Sequence, residues 1–389
     1  MNLGYMKICI LISSLAPGGA QRVAVTLANH WLERGWEVSV LTLANPEQDF
    51  YKLDPRVRRE ALNLDRSSKH NLLRGLINNF HRVIAIRRAL KDLRPDLVLG
   101  LMTEANVLLA LARTGLPLVA IGSDRVSRRH ESRISRTWKF MRWWTCRRLQ
   151  AMVTLTRQHE SWYRSRWPTL HVATIPNPVR YPLENLAPFL SPRLLKNAAG
   201  AERMILSVGR LSPQKGFDIL LRAYSQVKNG HSGWILAIVG DGPERERLAT
   251  LIERLGITDC AFLPGVAGNL GEWYESSDLY VLPSRYEGFP NVLLEAMSYG
   301  LPVLASDCET GPREIVHDEV DGILVPPEDE AALANALSRL MGDPVLREHL
   351  GRRAVRVRKQ FSIESIAGKW DRLFGQVLPQ GLPNTDVPD

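Results

Sequence analysis

Continuous apolar runs, each followed by a stretch with helical periodicity, recur along most of the chain. The run at 7–13 predicts a buried parallel strand, and the apolar spacing over 20–34 predicts the helix that follows it. The same alternation continues to residue 155 and restarts at residue 203. Because strands that alternate with helices form right-handed βαβ units, the pattern predicts parallel sheets and an α/β fold.

The length of the chain and the position of its proline-rich segment predict two domains. A chain of 389 residues is too long for one ordinary core. We expect an N-terminal Rossmann-like domain over 1–175, a linker over 176–202 and a C-terminal Rossmann-like domain over 203–362. The helix near 363–376 is expected to pack back on the N-terminal domain, and 378–389 to be a disordered tail. Ligands are expected at the carboxyl ends of the strands.

The lengths of the apolar runs and the spacing of the cysteines indicate where in the cell the protein is expected. The longest runs, at 7–16 and 96–112, are too short or too interrupted for a membrane span, which needs about 20 apolar residues. No small-x-small pattern follows the first run, so we expect no signal peptide. The four cysteines are scattered, with no spacing typical of metal ligands. These features predict a cytoplasmic protein with reduced thiols.

The positive charge of the chain is concentrated in one segment. The formal net charge is +9, and residues 124–149 contain nine Lys or Arg against two acidic residues. Such a segment attracts phosphate, whether in a nucleic acid, an anionic membrane or a phosphorylated substrate.

A helix over 134–149 would separate an apolar stripe from a cationic and aromatic face. That face contains Arg133, Arg136, Lys139, Phe140, Trp143 and Arg147. Aromatic rings between cations suit a membrane interface, where the rings lie at headgroup level. A merely solvated basic helix is the alternative. Since no nucleic-acid-binding motif is recognisable, we expect no nucleic acid partner.

The segment 283–297 (PSRYEGFPNVLLEAM) carries the clearest chemical signal. A strand ends at residue 282, a loop crosses Glu287, and a helix begins near Asn291. Backbone N–H groups at a helix N-terminus suit a diphosphate, and Gly288 lets the backbone approach it. Glu295 lies one turn beyond Asn291, where it can reach a diol beside the phosphates, and Glu287 lies where a sugar would sit.

The pattern Glu287-x7-Glu295 around Gly-Phe-Pro resembles the signature of the retaining GT-B glycosyltransferases of family four, the glycosyl transferases group 1. Four further segments, at 17–22, 209–216, 240–243 and 262–266, are similar to family motifs in the same order. The resemblance implies two Rossmann-like domains that face each other across a cleft. The donor-binding residues it implies are Gly18, Gly19, Arg210, Lys215, Asp241, Val266, Gly288, Phe289, Pro290, Asn291, Val292 and Glu295.

The same resemblance implies a chemistry. Arg210 and Lys215 would neutralise the diphosphate of a UDP-sugar without a metal ion or cofactor, and Glu287 would act on the transferring sugar. Relatives usually carry a histidine after the fifth N-terminal strand, whereas this chain has Asp124 there, which we take as a second catalytic candidate. No Gly-x-Gly-x-x-Gly opens the first helix, which argues against a dinucleotide-dependent oxidoreductase.

The acceptor is suggested by the kind of relative. The order of segments and the basic helix resemble bacterial transferases that extend polyprenyl-diphosphate-linked glycans, some with an N-acetylgalactosamine donor. We therefore expect transfer of a hexose or N-acetylhexosamine to a lipid-linked oligosaccharide or surface-polysaccharide precursor, at the inner face of the cell membrane. The alternatives are a soluble transferase for a small acceptor such as a sugar phosphate, and a catalytically idle binding or scaffold protein.

Overall fold

The chain forms two compact units in the computed structural model. The units are Met1–Pro178 with Ile363–Asp389, and Val179–Ser362. The residues that the structure describes are 4–16, 18–64, 72–125 and 136–379, without the side chains of 48, 72–76, 136 and 137. The predicted disordered tail at 378–389 falls almost entirely outside this range.

The N-terminal unit is built on a seven-stranded, wholly parallel sheet of order β3-β2-β1-β4-β5-β6-β7. Its strands are β1 (Lys7–Ile12), β2 (Glu37–Thr42), β3 (Arg58–Ala61), β4 (Leu97–Leu101), β5 (Val119–Asp124), β6 (Ala151–Thr154) and β7 (His171–Thr174). The central strands β1 and β4 are almost entirely apolar because helices cover both faces of the sheet.

In the described part of this unit, six α-helices cover the sheet. They are α1 (Gly19–Glu33), α2 (Leu72–Leu93), α3 (Thr103–Ala112), α4 (Arg136–Thr145), α5 (Arg157–Arg166) and, from the end of the chain, α15 (Ile363–Val377). The last helix packs on the first: the Trp31 ring lies 6.3 Å from that of Trp370 and 5.7 Å from that of Phe374. An ion pair of 2.7 Å between Arg34 and Asp371 borders this contact.

The second unit repeats the plan with a six-stranded parallel sheet of order β10-β9-β8-β11-β12-β13. Its strands are β8 (Arg203–Val208), β9 (Trp234–Val239), β10 (Ala261–Gly265), β11 (Leu279–Leu282), β12 (Val303–Ser306) and β13 (Ile323–Val325). The predicted fold class, two parallel-sheet Rossmann-like domains, is confirmed.

Nine helices belong to the second unit. They are α6 (Pro192–Ala198), α7 (Phe217–Val227), α8 (Arg245–Arg254), α9 (Leu270–Glu275), α10 (Asn291–Ser298), α11 (Pro312–Ile315), α12 (Glu330–Gly342), α13 (Pro344–Ala354) and α14 (Val357–Gln360). Helix α6 lies inside the segment that the proline content marks as a linker. No helix in the described part of the chain is long and apolar enough to cross a membrane.

Candidate functional site

Two glycine-containing loops meet at the carboxyl ends of β8 and β9. A Cβ on Gly240 would lie 2.0 Å from the Gly209 carbonyl oxygen, and one on Gly242 would lie 2.4 Å from the oxygen of Leu211. Both positions therefore require glycine, since any side chain would collide with backbone. The Leu211 N–H donates to the Asp241 carbonyl at 3.0 Å. Arg210 and Asp241 lie in these two loops, and both side chains are exposed.

A 3-10 turn at Pro213–Lys215 is fastened to the loop that follows β11. The Arg285 N–H donates to the Gln214 oxygen at 2.9 Å, and the Arg285 guanidinium donates to the Pro213 oxygen at 2.7 Å. Gly216, with φ of 64°, ends the turn so close to Pro283 that a Cβ would lie 2.1 Å from the Pro283 oxygen. The turn thereby directs Lys215 towards the loop.

Glu287 is the centre of the site in this unit. Its side chain is buried, and its Oε1 lies 2.7 Å from Lys215 Nζ and accepts a hydrogen bond of 2.7 Å from Ser284 Oγ. Its backbone carbonyl accepts a further hydrogen bond from the hydroxyl of Thr310. Because Lys215 and Ser284 both hold Oε1 and Thr310 holds the backbone of the same residue, the Glu287 side chain has little freedom to rotate. The sequence predicted Lys215 and Glu287 for this site, but gave no signal for Ser284 or Thr310.

An ion-pair network also stabilises the loop that follows β11. Arg285 donates to both oxygens of Asp218 at 2.8 and 2.9 Å, and Arg222 donates to one of them at 3.0 Å. Burial alone would raise the pKa of Asp218, but the hydrogen bonds from Arg285 and Arg222 outweigh it and lower the pKa to about 2. The loop that carries Glu287 is thus tied to the first turn of α7.

The N-terminus of α10 follows directly. Its first residue is Asn291, and Pro290 precedes it with no side-chain hydrogen bond to cap the helix. Just before the helix, the Phe289 ring packs on that of Phe361, with 5.9 Å between the ring centroids. Gly311, with φ of 97°, lies so near that a Cβ would be 2.8 Å from Pro290 Cδ. The backbone from Gly288 to Val292 is thereby held in an open turn, with Asn291 and Val292 half-buried.

The remaining predicted residues of this unit lie near neighbouring elements. Glu295 is 4% exposed, and its Oε2 accepts a hydrogen bond of 3.1 Å from the Tyr274 hydroxyl. Val266, directly after β10, is exposed. No group of three or more His, Cys, Asp or Glu in the described residues is arranged to hold a metal ion.

In the N-terminal unit, the glycine pair opens α1. Gly18 is extended, and its N–H donates to the Tyr51 hydroxyl at 3.3 Å. Gly19 is the first residue of the helix and is exposed. The turn thus presents an exposed helix start at the carboxyl end of β1.

Asp124 is the last residue of β5 and is 1% exposed. Its Oδ2 accepts a hydrogen bond of 2.8 Å from the Tyr163 hydroxyl and lies 3.6 Å from Arg142 and 3.9 Å from His159. The sequence pattern predicted none of these three partners, which come from α4 and α5. A carboxylate enclosed in this way favours a positioning role over direct contact with substrate.

The basic helix is shorter than the predicted 134–149, since α4 ends at Thr145 and a 3-10 turn follows at Cys146–Arg148. Arg133 lies outside the described residues, as does the side chain of Arg136. Phe140 is 66% and Trp143 46% exposed, and their rings stack at 6.3 Å.

Cations flank these rings. Arg147 lies 5.2 Å from the centroid of the Trp143 ring, and Lys139 is half-buried beside the aromatic pair in sequence. The structure adds a second aromatic–cation pair, Trp144 with Arg148 at 3.9 Å. We call the described residues Lys139, Phe140, Trp143, Trp144, Arg147 and Arg148 the α4 patch. Arg142, from the same helix, instead lies buried beside Asp124.

Comparison with known proteins identifies the family. Residues 196–357 match the glycosyl transferases group 1, and residues 17–181 match glycosyltransferase family 4. Together with the two Rossmann-like units, these matches define a GT-B glycosyltransferase. The chain belongs to the group 1 glycosyltransferases and is an enzyme of that class.

Individual relatives span the chain. The amylovoran biosynthesis glycosyltransferase AmsD of Erwinia amylovora is 30% identical, over 95% of this chain and 99% of its own. A Campylobacter jejuni α-1,4-N-acetyl-D-galactosaminyltransferase, whose name gives an undecaprenol-diphosphate-linked acceptor, is 28% identical over 96% and 99%. The crystal structure of Anabaena HepE with UDP and glucose superimposes with a TM-score of 0.76 at 21% identity, covering 95% of this chain and 100% of that one.

Proposed function

We propose that this enzyme transfers a hexose or N-acetylhexosamine from a UDP-sugar, with retention of anomeric configuration, to a lipid-linked oligosaccharide or surface-polysaccharide precursor. The cluster of Lys215, Glu287 and Ser284 beside the open N-terminus of α10 carries the proposal. The UDP bound to HepE and the lipid-linked acceptor named for the Campylobacter relative support the choice of donor and acceptor.

Each group in the cluster has a part in this reaction. The sugar–phosphate bond breaks and UDP leaves with negative charge. The acceptor oxygen becomes bonded to the anomeric carbon on the same face, and the proton of the acceptor hydroxyl passes to the released diphosphate. Arg210, Lys215 and the N–H groups at the start of α10 stabilise that charge, and no metal ion is needed. Glu287, held by Lys215 and Ser284, stabilises the positive charge that develops on the sugar.

The other residues bind the rest of the donor. Glu295, oriented by the Tyr274 hydroxyl, accepts hydrogen bonds from the ribose diol. Val266 and the backbone around it contact the base, and Asp241 borders the site from the neighbouring loop. Gly18 and Gly19 approach the donor phosphate or the acceptor from the start of α1.

The test of the donor site uses Lys215→Ala with Lys228→Ala as a matched control. Lys228 belongs to the same unit and pairs with Asp259 at 3.7 Å, outside the cluster. Loss of a charge-assisted bond should lower donor-dependent kcat/KM roughly tenfold to hundredfold in Lys215→Ala only. Wild-type activity should persist in excess EDTA. Unchanged turnover of Lys215→Ala, or loss of activity in EDTA that magnesium restores, would contradict this assignment.

Two measurements identify the substrates: binding identifies the donor sugar, and transfer identifies the acceptor. A bound nucleotide sugar raises the Tm by mass action, so a thermal-shift series of UDP- and GDP-sugars ranks the donors. The best donor is then supplied with a polyprenyl-diphosphate-linked sugar or with a soluble sugar phosphate. Transfer only to the soluble acceptor would favour the alternative function, and donor binding without transfer or hydrolysis would favour the idle protein.

The α4 patch is proposed to hold the enzyme at an anionic membrane, on the cytoplasmic side. Exposed Phe140 and Trp143 would insert among lipid headgroups, while Lys139, Arg147 and Arg148 meet lipid phosphate. Arg133 and Arg136 carry the same charge in the sequence and are included in the proposal. This location would bring the enzyme to a lipid-linked acceptor.

Vesicle sedimentation tests the membrane contact. Each basic residue near an anionic surface contributes about 1 kcal/mol, so Lys139→Ser with Arg147→Ser should weaken binding to anionic vesicles about thirtyfold. Arg352→Ser with Arg353→Ser, two exposed cations of α13, is the matched control and should leave binding unchanged. Wild-type protein that ignores anionic vesicles at low salt would overturn this part of the proposal.

A further inference from the structure

Arg125 is a buried cation that the proposed mechanism does not use. It follows β5 directly, at the carboxyl edge of the N-terminal sheet, and is 8% exposed. Its Nη1 donates to Oδ1 of Asn177, which lies just beyond β7. Its Nε and Nη2 are buried and have no hydrogen-bond partner in the part of the chain that the structure describes.

Among the residues that the structure describes, no counterion compensates this charge. Burial lowers the pKa of Arg125 to about 9, with no opposing contribution from a nearby carboxylate. The neighbouring carboxylate of Asp124 is directed instead to Tyr163 and Arg142, and its second oxygen also lacks a hydrogen bond. A buried charge without a partner destabilises a fold. Arg125 therefore does not have the environment of an arginine retained for stability.

The two unpartnered nitrogens define the ligand. Nε and Nη2 form the lateral edge of the guanidinium plane, the edge that donates two parallel hydrogen bonds to a phosphate or carboxylate group. The carboxyl edge of a parallel sheet is also where ligands of α/β domains bind. Both substrates of the proposed reaction carry a diphosphate and no carboxylate, which favours phosphate.

We propose that Arg125, oriented by Asn177, binds a phosphate oxygen of a substrate diphosphate on the N-terminal unit. This assignment rests on the proposed function for the source of the phosphate, which is either the nucleotide-sugar donor or the lipid-linked acceptor. The bound oxygen completes the hydrogen bonding of Nε and Nη2 and supplies the missing negative charge.

The experiment measures stability and diphosphate binding in Arg125→Gln, with Arg88→Gln, an exposed arginine of α2, as control. The ligand-free Tm of Arg125→Gln should be no lower than that of the wild type, because an uncompensated charge is removed. Its affinity for one diphosphate, UDP or farnesyl diphosphate, should fall roughly tenfold to hundredfold in calorimetric titration. Weakened UDP binding assigns the donor, and weakened farnesyl diphosphate binding assigns the acceptor.

A second variant supplies the counterion from within the protein. Asn177→Asp places a carboxylate against Arg125, so it should raise the ligand-free Tm and weaken binding of the same diphosphate. Either of two results overturns the inference: a lower Tm in Arg125→Gln with unchanged affinities, which marks a structural arginine, or unchanged affinities for both ligands in both variants. These measurements need no sugar transfer. Failure of this inference can therefore be distinguished from failure of the proposed function.

Discussion

The charged groups at the carboxyl edges of the two sheets are arranged differently. In the C-terminal unit, Lys215 pairs with Glu287 at 2.7 Å, and Arg285 bonds both oxygens of Asp218. In the N-terminal unit, the carboxylate of Asp124 has one oxygen without a partner and Arg125 has no counterion in the described residues. Glu287, Asp124 and Arg125 are all buried, so the contrast lies in pairing rather than in exposure.

The difference separates a site that is complete before substrate binds from one that is not. In the C-terminal unit the catalytic candidate is already held by neighbours, as electrostatic preorganisation requires. In the N-terminal unit polar atoms remain unsatisfied, which is costly unless a ligand satisfies them. The comparison predicts that substitutions of Glu287 and its hydrogen-bond partners mainly change turnover, and that substitutions in the Asp218 network change stability. In the N-terminal unit, substitution of Asp124 should change stability, and substitution of Arg125 should change ligand binding.

The largest effect is expected for Glu287→Gln. The amide retains the shape of the side chain but removes the charge near the transferring sugar, so kcat should fall on the order of a hundredfold or more. The KM for the donor should change little. Glu295→Gln is the matched variant: it should raise the donor KM and leave kcat nearly intact. Steady-state kinetics with the donor varied would show exchanged phenotypes if the two roles are reversed.

Asp124→Asn tests whether the N-terminal carboxylate is structural. Removing its charge breaks the buried ion pair of 3.6 Å with Arg142, so the free energy of unfolding should drop by about 3 kcal/mol. Urea denaturation measures this directly. Unchanged stability combined with lost turnover would make Asp124 a catalytic residue, as its place in the sequence suggests, and would remove the contrast between the two edges.

The Asp218 network predicts a pH dependence of stability. Its pKa is about 2 in the folded protein, below the ordinary value of 3.8, so its contribution is present above about pH 4 and is lost as the pH falls towards 2. The contribution is about 2 kcal/mol. Asp218→Asn should therefore lower stability at pH 7 and flatten its decline between pH 4 and 2. An unchanged decline in the variant would show that other carboxylates dominate.

The smallest effect is expected for Thr310→Val. This change removes the hydroxyl that donates to the Glu287 carbonyl and retains the shape of the side chain. One neutral hydrogen bond contributes about 1 kcal/mol, so kcat should fall about fivefold with an unchanged Tm. Thr310→Ser should restore the wild-type rate. A fall in Tm without a change in kcat would show that Thr310 stabilises the loop but does not position Glu287.

The apolar runs of the chain were sufficient to predict the central strands. β1, β4, β8, β9 and β11 are covered on both faces, so their sequences are almost entirely apolar. The edge strands β3, β7 and β13 escaped prediction. β3 contains Arg58, Arg59 and Glu60 and pairs with a neighbour on one side only, and the others are three or four residues long. These three strands derive their conformation from the adjacent strand rather than from their own pattern.

The sequence by itself determined the fold class, the family and the chemical character of the C-terminal motif, because local spacing along a loop and a helix start encodes them. It could not supply Thr310 beside Glu287, or Tyr163 and Arg142 around Asp124. Thr310 and Glu287 are 23 residues apart, and Tyr163 and Asp124 are 39 apart. Parallel strands bring such residues together only when the sheet assembles. The buried charge of Arg125 likewise exists only in the tertiary structure, since no local pattern reports burial. Within the described part of the chain, burial turns an ordinary arginine into a cation without a counterion.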